Sequence, residues 1–152
     1  MLGSLLGYEV SAIAVSLDHT LLRIRTGLNS LNIDEDSLIN PYEDHYFATL
    51  GDCCNQVWWN DIIGVETLLN QVILGVRITP KSCIGQGSEG VLEEYKVTLE
   101  TSLGRTDLIF RNDHNGYYGG SCKLLTEEDL KKECWKRKQE FIEIERDWSA
   151  DD

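Results

Sequence analysis

Basic residues are scarce in this sequence. Its 152 residues include 14 Lys and Arg against 26 Asp and Glu, which gives a formal net charge of −12 at pH 7. A protein that binds nucleic acid generically needs a basic surface to displace counterions, and this chain has no surplus of positive charge. The composition therefore argues against generic nucleic-acid binding and agrees with a solvated acidic surface that aids solubility.

Long apolar runs and a disulfide pattern are absent as well. No window approaches the roughly 18 apolar residues of a membrane-spanning helix, and the first residues lack the basic n-region of a secretory signal. The five cysteines are odd in number and do not have the spacing of a disulfide framework. We therefore expect a cytoplasmic protein with reduced thiols, with a chain long enough to bury a core.

Alternation of apolar and polar residues predicts β-strands over most of the chain. The glycines of Gly85-Gln-Gly87-Ser-Glu-Gly90 match the dinucleotide-binding fingerprint, but a strand rather than a helix follows them, so we interpret the match as a hairpin loop. Strands are predicted over residues 10–17, 21–26, 45–50, 72–79, 91–101, 104–112 and 121–125.

Two stretches have the spacing of three and four residues that is typical of helices. The first, over residues 57–69, predicts one or two short helical turns after Gly51, interrupted at Gly64, with Trp58 and Ile62 facing the core. The second begins at Thr126, where Asp129 completes a capping-box pattern, and its acid–base pairs four residues apart favour a helix of about 20 residues. The apolar stripe of this long helix comprises Leu130, Cys134, Phe141, Ile144 and Trp148.

The sequence thus predicts an α+β fold, a mostly antiparallel sheet of about six or seven strands with a short helix after Gly51 and a long C-terminal helix. We expect a β-rich core domain over residues 1–125 and a C-terminal amphipathic helix with an acidic tail over residues 126–152. The apolar face of this helix packs either on the sheet or against another subunit, so a homo-oligomer is expected.

The cysteines do not indicate a metal or catalytic site. Cys53 and Cys54 are adjacent, so their side chains point apart and do not suit one tetrahedral ion. Buried cysteines act as small hydrophobic residues more often than as nucleophiles. We therefore expect no metal, no cofactor and no catalytic residue.

Two stretches, residues 51–64 and 112–120, combine aromatic rings with amide side chains. Aromatic rings stack on nucleobases for about 1–3 kcal/mol each, and Asn and Gln side chains pair with adenine-like edges. The alternative is that Trp58 and Tyr118 fill the core while the glycines shape turns. The expected ligand-binding residues are Asp52, Asn55, Trp58, Trp59, Asn60, Arg111, Asn112, Asn115, Tyr117 and Tyr118. Phosphate contacts are expected from the strand arginines Arg23, Arg25, Arg77, Arg105 and Arg111.

The same two stretches carry a resemblance to a known family. Gly51-Asp52-Cys53-Cys54, Ile63-Gly64-Val65-x-x-Leu68-Leu69, Phe110-Arg111-Asn112 and Asn115-Gly116-Tyr117-Tyr118-Gly119-Gly120 resemble motifs of small uncharacterised domains encoded by bacteriophages. The resemblance covers about residues 9–122 and leaves out the acidic loop at 30–44 and the C-terminal helix. It implies a phage or prophage origin and brings no established activity.

Three functions follow as expectations. The first is a phage counter-defence protein, in the cytoplasm of a bacterial host, that binds and sequesters a small nucleotide-derived immune signal without cleaving it, such as a cyclic nucleotide or an ADP-ribose derivative. The second is a protein–protein inhibitor that acts through the acidic surface and the C-terminal helix. The third is a hydrolase that uses Cys53, Cys54 or a nearby aspartate.

Overall fold

The computed structural model describes residues 5–27, 42–50, 55–85, 90–115, 121–126, 128–129 and 140–151. Strands account for 68% of these residues and helical turns for 6%, and none of the helices described reaches seven residues. The predicted α+β class is therefore wrong, because the described chain is nearly all β-structure. None of its helical turns is long and apolar enough to cross a membrane.

The described chain contains ten strands, numbered β1 to β10 in chain order, and a short 3₁₀ turn, Val65–Thr67, that follows the fourth strand. The strands predicted over residues 10–17, 21–26, 91–101 and 104–112 are confirmed. The strands are β1 Glu9–Ser16, β2 Leu21–Gly27, β3 Tyr42–Leu50, β4 Gln56–Ile63, β5 Gly75–Gly85, β6 Val91–Thr101, β7 Gly104–His114, β8 Ser121–Leu124, β9 Phe141–Glu143 and β10 Trp148–Ser149.

The strands form two antiparallel five-stranded sheets whose inner faces share one core. The first sheet has the order β8-β3-β2-β1-β9 and the second has the order β10-β4-β7-β6-β5. The Trp59 ring of the second sheet lies edge-on to Phe47 of the first, with ring centroids 6.2 Å apart. Two sheets that bury their apolar faces against each other form a β-sandwich. Its core contains, among others, Ile13, Val15, Leu22, Ile24, Phe47, Trp59, Ile62, Val97, Leu99 and Leu108.

A β-bulge explains why residues 57–62 were wrongly predicted as a helix. Val57 and Trp59 alternate inward as in any strand, but Asn60 is an extra residue without a partner on β7. The next inward side chain is therefore Ile62, three positions after Trp59. A bulge thus converts the strand spacing of two into the spacing of three that imitates a helix.

The C-terminal prediction was right at the capping box and wrong over residues 140–151, while residues 130–139 of the predicted helix lie outside the described ranges. The backbone N–H of Thr126 donates to Asp129 Oδ2 at 2.9 Å, and the backbone N–H of Asp129 donates back to Thr126 Oγ1 at 3.2 Å. Residues 140–151, however, are not helical, because β9 pairs with β1 and β10 pairs with β4. The alternation of Ile142 and Ile144 with two glutamates is the strand signal that the helical spacing obscured.

The two isoleucines of this segment give a direct test of its packing. Ile144 is only 4% exposed, whereas Ile142 is 37% exposed. We expect Ile144→Ala to lower the free energy of unfolding by about 2–4 kcal/mol because it leaves a cavity in the core. The matched change Ile142→Ala is expected to cost less than about 1 kcal/mol. Urea denaturation measures both, and equal losses would contradict this packing.

Candidate functional site

The described parts of the two stretches, 51–64 and 112–120, lie side by side. They belong to β4 and β7, which pair with Gln56 opposite Asp113 and Trp58 opposite Arg111. The side-chain amide of Asn55 donates from Nδ2 to Asn112 Oδ1 at 2.9 Å. Backbone pairing therefore joins residues that are more than fifty positions apart in the sequence.

A groove of about 470 Å³ opens between the β1–β2 turn and the beginning of β4. The backbone N–H of Trp59 donates to the carbonyl of His19 at 2.7 Å, and Thr49 Oγ1 donates to the carbonyl of Val57 at 3.0 Å. These bonds fix the turn beside β4. The groove is lined by Asp18, His19, Thr20, Thr49, Asn55, Gln56, Val57 and Trp58.

Asp18 supplies the carboxylate of the groove, and its own turn keeps it ionised. Partial burial opposes ionisation, but hydrogen bonds from Ser16 and Thr20 outweigh it and lower the pKa of Asp18 below its ordinary value. Ser16 Oγ donates to Asp18 Oδ1 at 2.6 Å, and the Thr20 hydroxyl donates to the same oxygen at 2.8 Å. The groove therefore holds a fixed negative charge at neutral pH.

Asn60 holds the indole of Trp58 in place. Its Nδ2 donates to Asp61 Oδ2 at 2.8 Å and to Asp151 Oδ2 at 3.3 Å. Ionised carboxylates only accept hydrogen bonds, so the amide nitrogen must face them and Oδ1 must face the other way. That oxygen accepts the indole N–H of Trp58 at 2.9 Å. Asp151, which follows the C-terminal strand, thus helps to orient the ring of Trp58 from outside the groove.

The C-terminal strand braces the opposite wall as well. Trp148 of β10 meets His19 edge-on, with ring centroids 5.1 Å apart. His19 has φ 63°, a left-handed conformation that is uncommon for residues other than glycine. The brace and the tight β1–β2 turn together present His19 to the groove.

The predicted site residues lie in the groove, in the core or on the exposed surface of the protein. Asn55 and Trp58 line the groove, whereas Trp59 is fully buried in the core. Asn112 is buried behind Asn55 and bonded to it, and Asn115 is exposed. Predicted residues that lie outside the described ranges are Asp52, Tyr117 and Tyr118, together with Cys53 and Cys54.

Most of the arginines expected to hold phosphate already pair with carboxylates, and none of the five lines the groove. Arg111 pairs with both Glu94 and Asp151, and it lies opposite Trp58 in the sheet. A paired guanidinium must give up its carboxylate before it can bind a phosphate. The other ion pairs are Arg23–Glu143, Arg25–Asp44 and Arg77–Glu100.

A buried polar row that was not predicted from the sequence lies at the same end of the second sheet. Glu93 and His114 are almost fully buried and bonded to each other, and they share the inner face with Asn55 and Asn112. A signal existed for Glu93, since it continues the inward alternation of Tyr95 and lies on an otherwise apolar face. The groove residues Asp18 and Gln56 gave no such signal, because their proximity depends on strand pairing.

No group of three or more His, Cys, Asp and Glu side chains that could hold a metal ion occurs in the part of the chain that the structure describes. Burial raises the pKa of the Cys122 thiol to about 11, so this cysteine is not a thiolate at neutral pH. Burial also lowers the pKa of His45, whose ring nitrogen Nε2 is bonded to the Thr26 hydroxyl at 3.0 Å. These residues are therefore parts of the scaffold.

Replacing the Asn60 amide with a carboxylate tests whether the hydrogen bonds of Asn60 hold the indole of Trp58 in place. In Asn60→Asp the acceptor for Trp58 remains, but a carboxylate now faces Asp61 and Asp151. We expect the free energy of unfolding at pH 7 to fall by about 2–4 kcal/mol because a buried group loses its partners and meets like charges. Urea denaturation measures the loss.

The matched control exchanges the two side chains. Asn60→Asp combined with Asp151→Asn again places an amide donor opposite a carboxylate, so about 1 kcal/mol or more should be recovered relative to Asn60→Asp alone. A double variant that is no more stable than Asn60→Asp would show that Asp151 does not orient residue 60.

Comparison with known proteins identifies one family. The model of a domain of unknown function, DUF7448, matches residues 44–124, more than half of the chain. The chain therefore belongs to the DUF7448 family, and the matched range includes strands β4 and β7 and part of the groove. No curated protein and no solved structure matches the chain.

Proposed function

We propose that this member of the DUF7448 family binds a small nucleotide-derived ligand and releases it unchanged. The observation that supports this most is the position of Trp58 in an open groove with its indole N–H already bonded to Asn60. Because that polar atom is satisfied within the protein, the exposed part of the ring offers an apolar surface. Such a surface stacks on a nucleobase of any kind.

The remaining groove residues suit the edge of a flat heteroaromatic ring. Gln56 is exposed at the rim, and its amide carries both a donor and an acceptor, the pattern that pairs with base edges. Asp18, Thr20 and Thr49 add oxygen atoms on the wall formed by the turn and β3. A volume of about 470 Å³ lies in the range of pockets that bind small molecules.

The biological setting is proposed on the resemblance to bacteriophage domains. We propose a phage or prophage origin, the cytoplasm of a bacterial host as the location, and sequestration of an immune signal as the role. The resemblance rests on motifs such as Gly51-Asp52-Cys53-Cys54, and the groove begins next to this motif, at Asn55. A homo-oligomer stays a proposal, and it now needs a surface other than a helix over residues 140–151.

The inhibitor hypothesis depended on the acidic surface and on a C-terminal helix, and residues 140–151 do not belong to such a helix. Residues 140–151 contain β9, which belongs to the first sheet, and β10, which belongs to the second, so deleting this segment would remove scaffold from both sheets. The hydrolase hypothesis rests on Cys53, Cys54 or a nearby aspartate, and the two cysteines lie outside the described residues. Ligand binding at the groove is therefore the function with the most direct support.

Ligand binding is tested by equilibrium dialysis of the protein against nucleosides, cyclic nucleotides and ADP-ribose derivatives. At least one of these probes is expected to bind and to be recovered intact after denaturation, as shown by mass spectrometry. Trp58→Ala should weaken binding about 5- to 150-fold because it removes the stacking surface.

A matched aromatic control separates stacking from a general loss of stability. Tyr42 is exposed on β3 and does not line the groove, so Tyr42→Ala should leave the dissociation constant unchanged. Unchanged binding in Trp58→Ala would show that the ligand binds outside this groove. Cleavage of a probe would show that the protein is a hydrolase and contradict the proposed function.

A further inference from the structure

The hydrogen-bond donors of Thr20, Thr49 and Trp58 are already used within the protein, so that Gln56 at the rim and the ring of His19 are left to donate to a ligand. A hydroxyl group has one hydrogen to donate. Thr20 donates its hydrogen to Asp18 Oδ1 at 2.8 Å. Thr49 donates to the carbonyl of Val57 at 3.0 Å or to that of Thr20 at 3.2 Å. The single N–H of the Trp58 ring is bonded to Asn60.

The acceptors of the groove, in contrast, retain capacity. The hydrogen bonds that Asp18 accepts from Ser16 and Thr20 all end on Oδ1, so Oδ2 accepts none from the rest of the described chain. Both threonine hydroxyl oxygens keep a lone pair after donating their hydrogens. Three oxygen atoms on the wall opposite β4 can therefore accept hydrogen bonds from a ligand.

The charge of the groove leads to the same conclusion. Asp18 is a carboxylate, and no lysine or arginine is among the residues that line the groove. The nearby guanidinium of Arg111 is paired with Glu94 and Asp151, and the whole chain carries a formal charge of −12. A phosphate placed in the groove would meet like charge without a counter-ion.

We infer that the groove binds the hydrogen-bond-donating edge of an uncharged or cationic ring, and that any phosphate of the ligand stays outside it. This inference rests on the proposed function and specifies the part of the ligand that the groove recognises. Guanine fits best among the common bases, because its N–H and amino groups form two adjacent donors. Asp18 is the specificity-determining residue, since it supplies the charged acceptor.

The experiment compares guanosine, inosine and guanosine 5′-monophosphate by isothermal titration calorimetry. Inosine lacks the exocyclic amino group, so it should bind at least about tenfold more weakly than guanosine, because a site built to hydrogen-bond a group discriminates strongly against its loss. The monophosphate should bind no more tightly than guanosine.

Asp18→Asn tests the contribution of Asp18 Oδ2 to ligand binding. The amide retains Oδ1 as the acceptor for Ser16 and Thr20, so the turn is kept, while a donor replaces Oδ2. We expect guanosine affinity to fall at least about tenfold. Ser16→Ala is the control, because it removes the hydrogen bond to Asp18 Oδ1 and the one from the Leu21 N–H without changing the groove acceptors, and guanosine affinity should stay within about threefold.

The outcomes separate the two levels of the proposal. If none of the nucleosides and nucleotides binds the unaltered protein, both the proposed function and this inference fail. If probes bind but the monophosphate binds more tightly than guanosine, or Asp18→Asn tightens binding, the inference alone is overturned. Equal losses in Asp18→Asn and Ser16→Ala would also overturn it, because the turn and not the acceptor would then control affinity.

Discussion

The bulged pairing of β4 with β7 is the constraint on which the rest of the structure depends. It places Trp59 on the inner face, against Phe47 and Phe110, and Trp58 on the opposite face at the groove. The extra residue Asn60 then turns its amide toward the C-terminal strand. Two adjacent tryptophans therefore have separate roles, one in stability and one at the candidate site.

The same pairing explains why the C-terminal strand matters to the groove. Trp148 pairs opposite Ile62 of β4 and contacts His19 across the sandwich edge. Asp151 accepts hydrogen bonds from both Asn60 and Arg111. A short terminal strand is held by few backbone bonds, so its side-chain contacts carry much of its docking energy. Loss of these contacts would loosen both walls of the groove together.

Strand positions could be predicted from the sequence wherever alternation is regular, as in β6, whose inward residues include Val97 and Leu99. Prediction failed where a bulge shifted the alternation at Asn60 and where an apolar spacing in β9 and β10 coincided with that of a helix. The groove could be predicted only on the β4 side, through Asn55 and Trp58. Asp18 reaches it through pairing between distant segments, and no local pattern reports such a register.

The polar row formed by Asn55, Asn112, Glu93 and His114 lies buried at the end of the second sheet that adjoins the candidate site. Burying a charged or amide group costs free energy unless it is hydrogen-bonded, and both pairs in this row are bonded. Replacing such a row with apolar residues is often neutral or stabilising, so stability alone does not account for it. The row reaches the groove through Asn55, whereas Trp59 of the neighbouring strand belongs to the apolar core. The buried polar side chains of this row thus lie at the end of the sandwich where the groove opens.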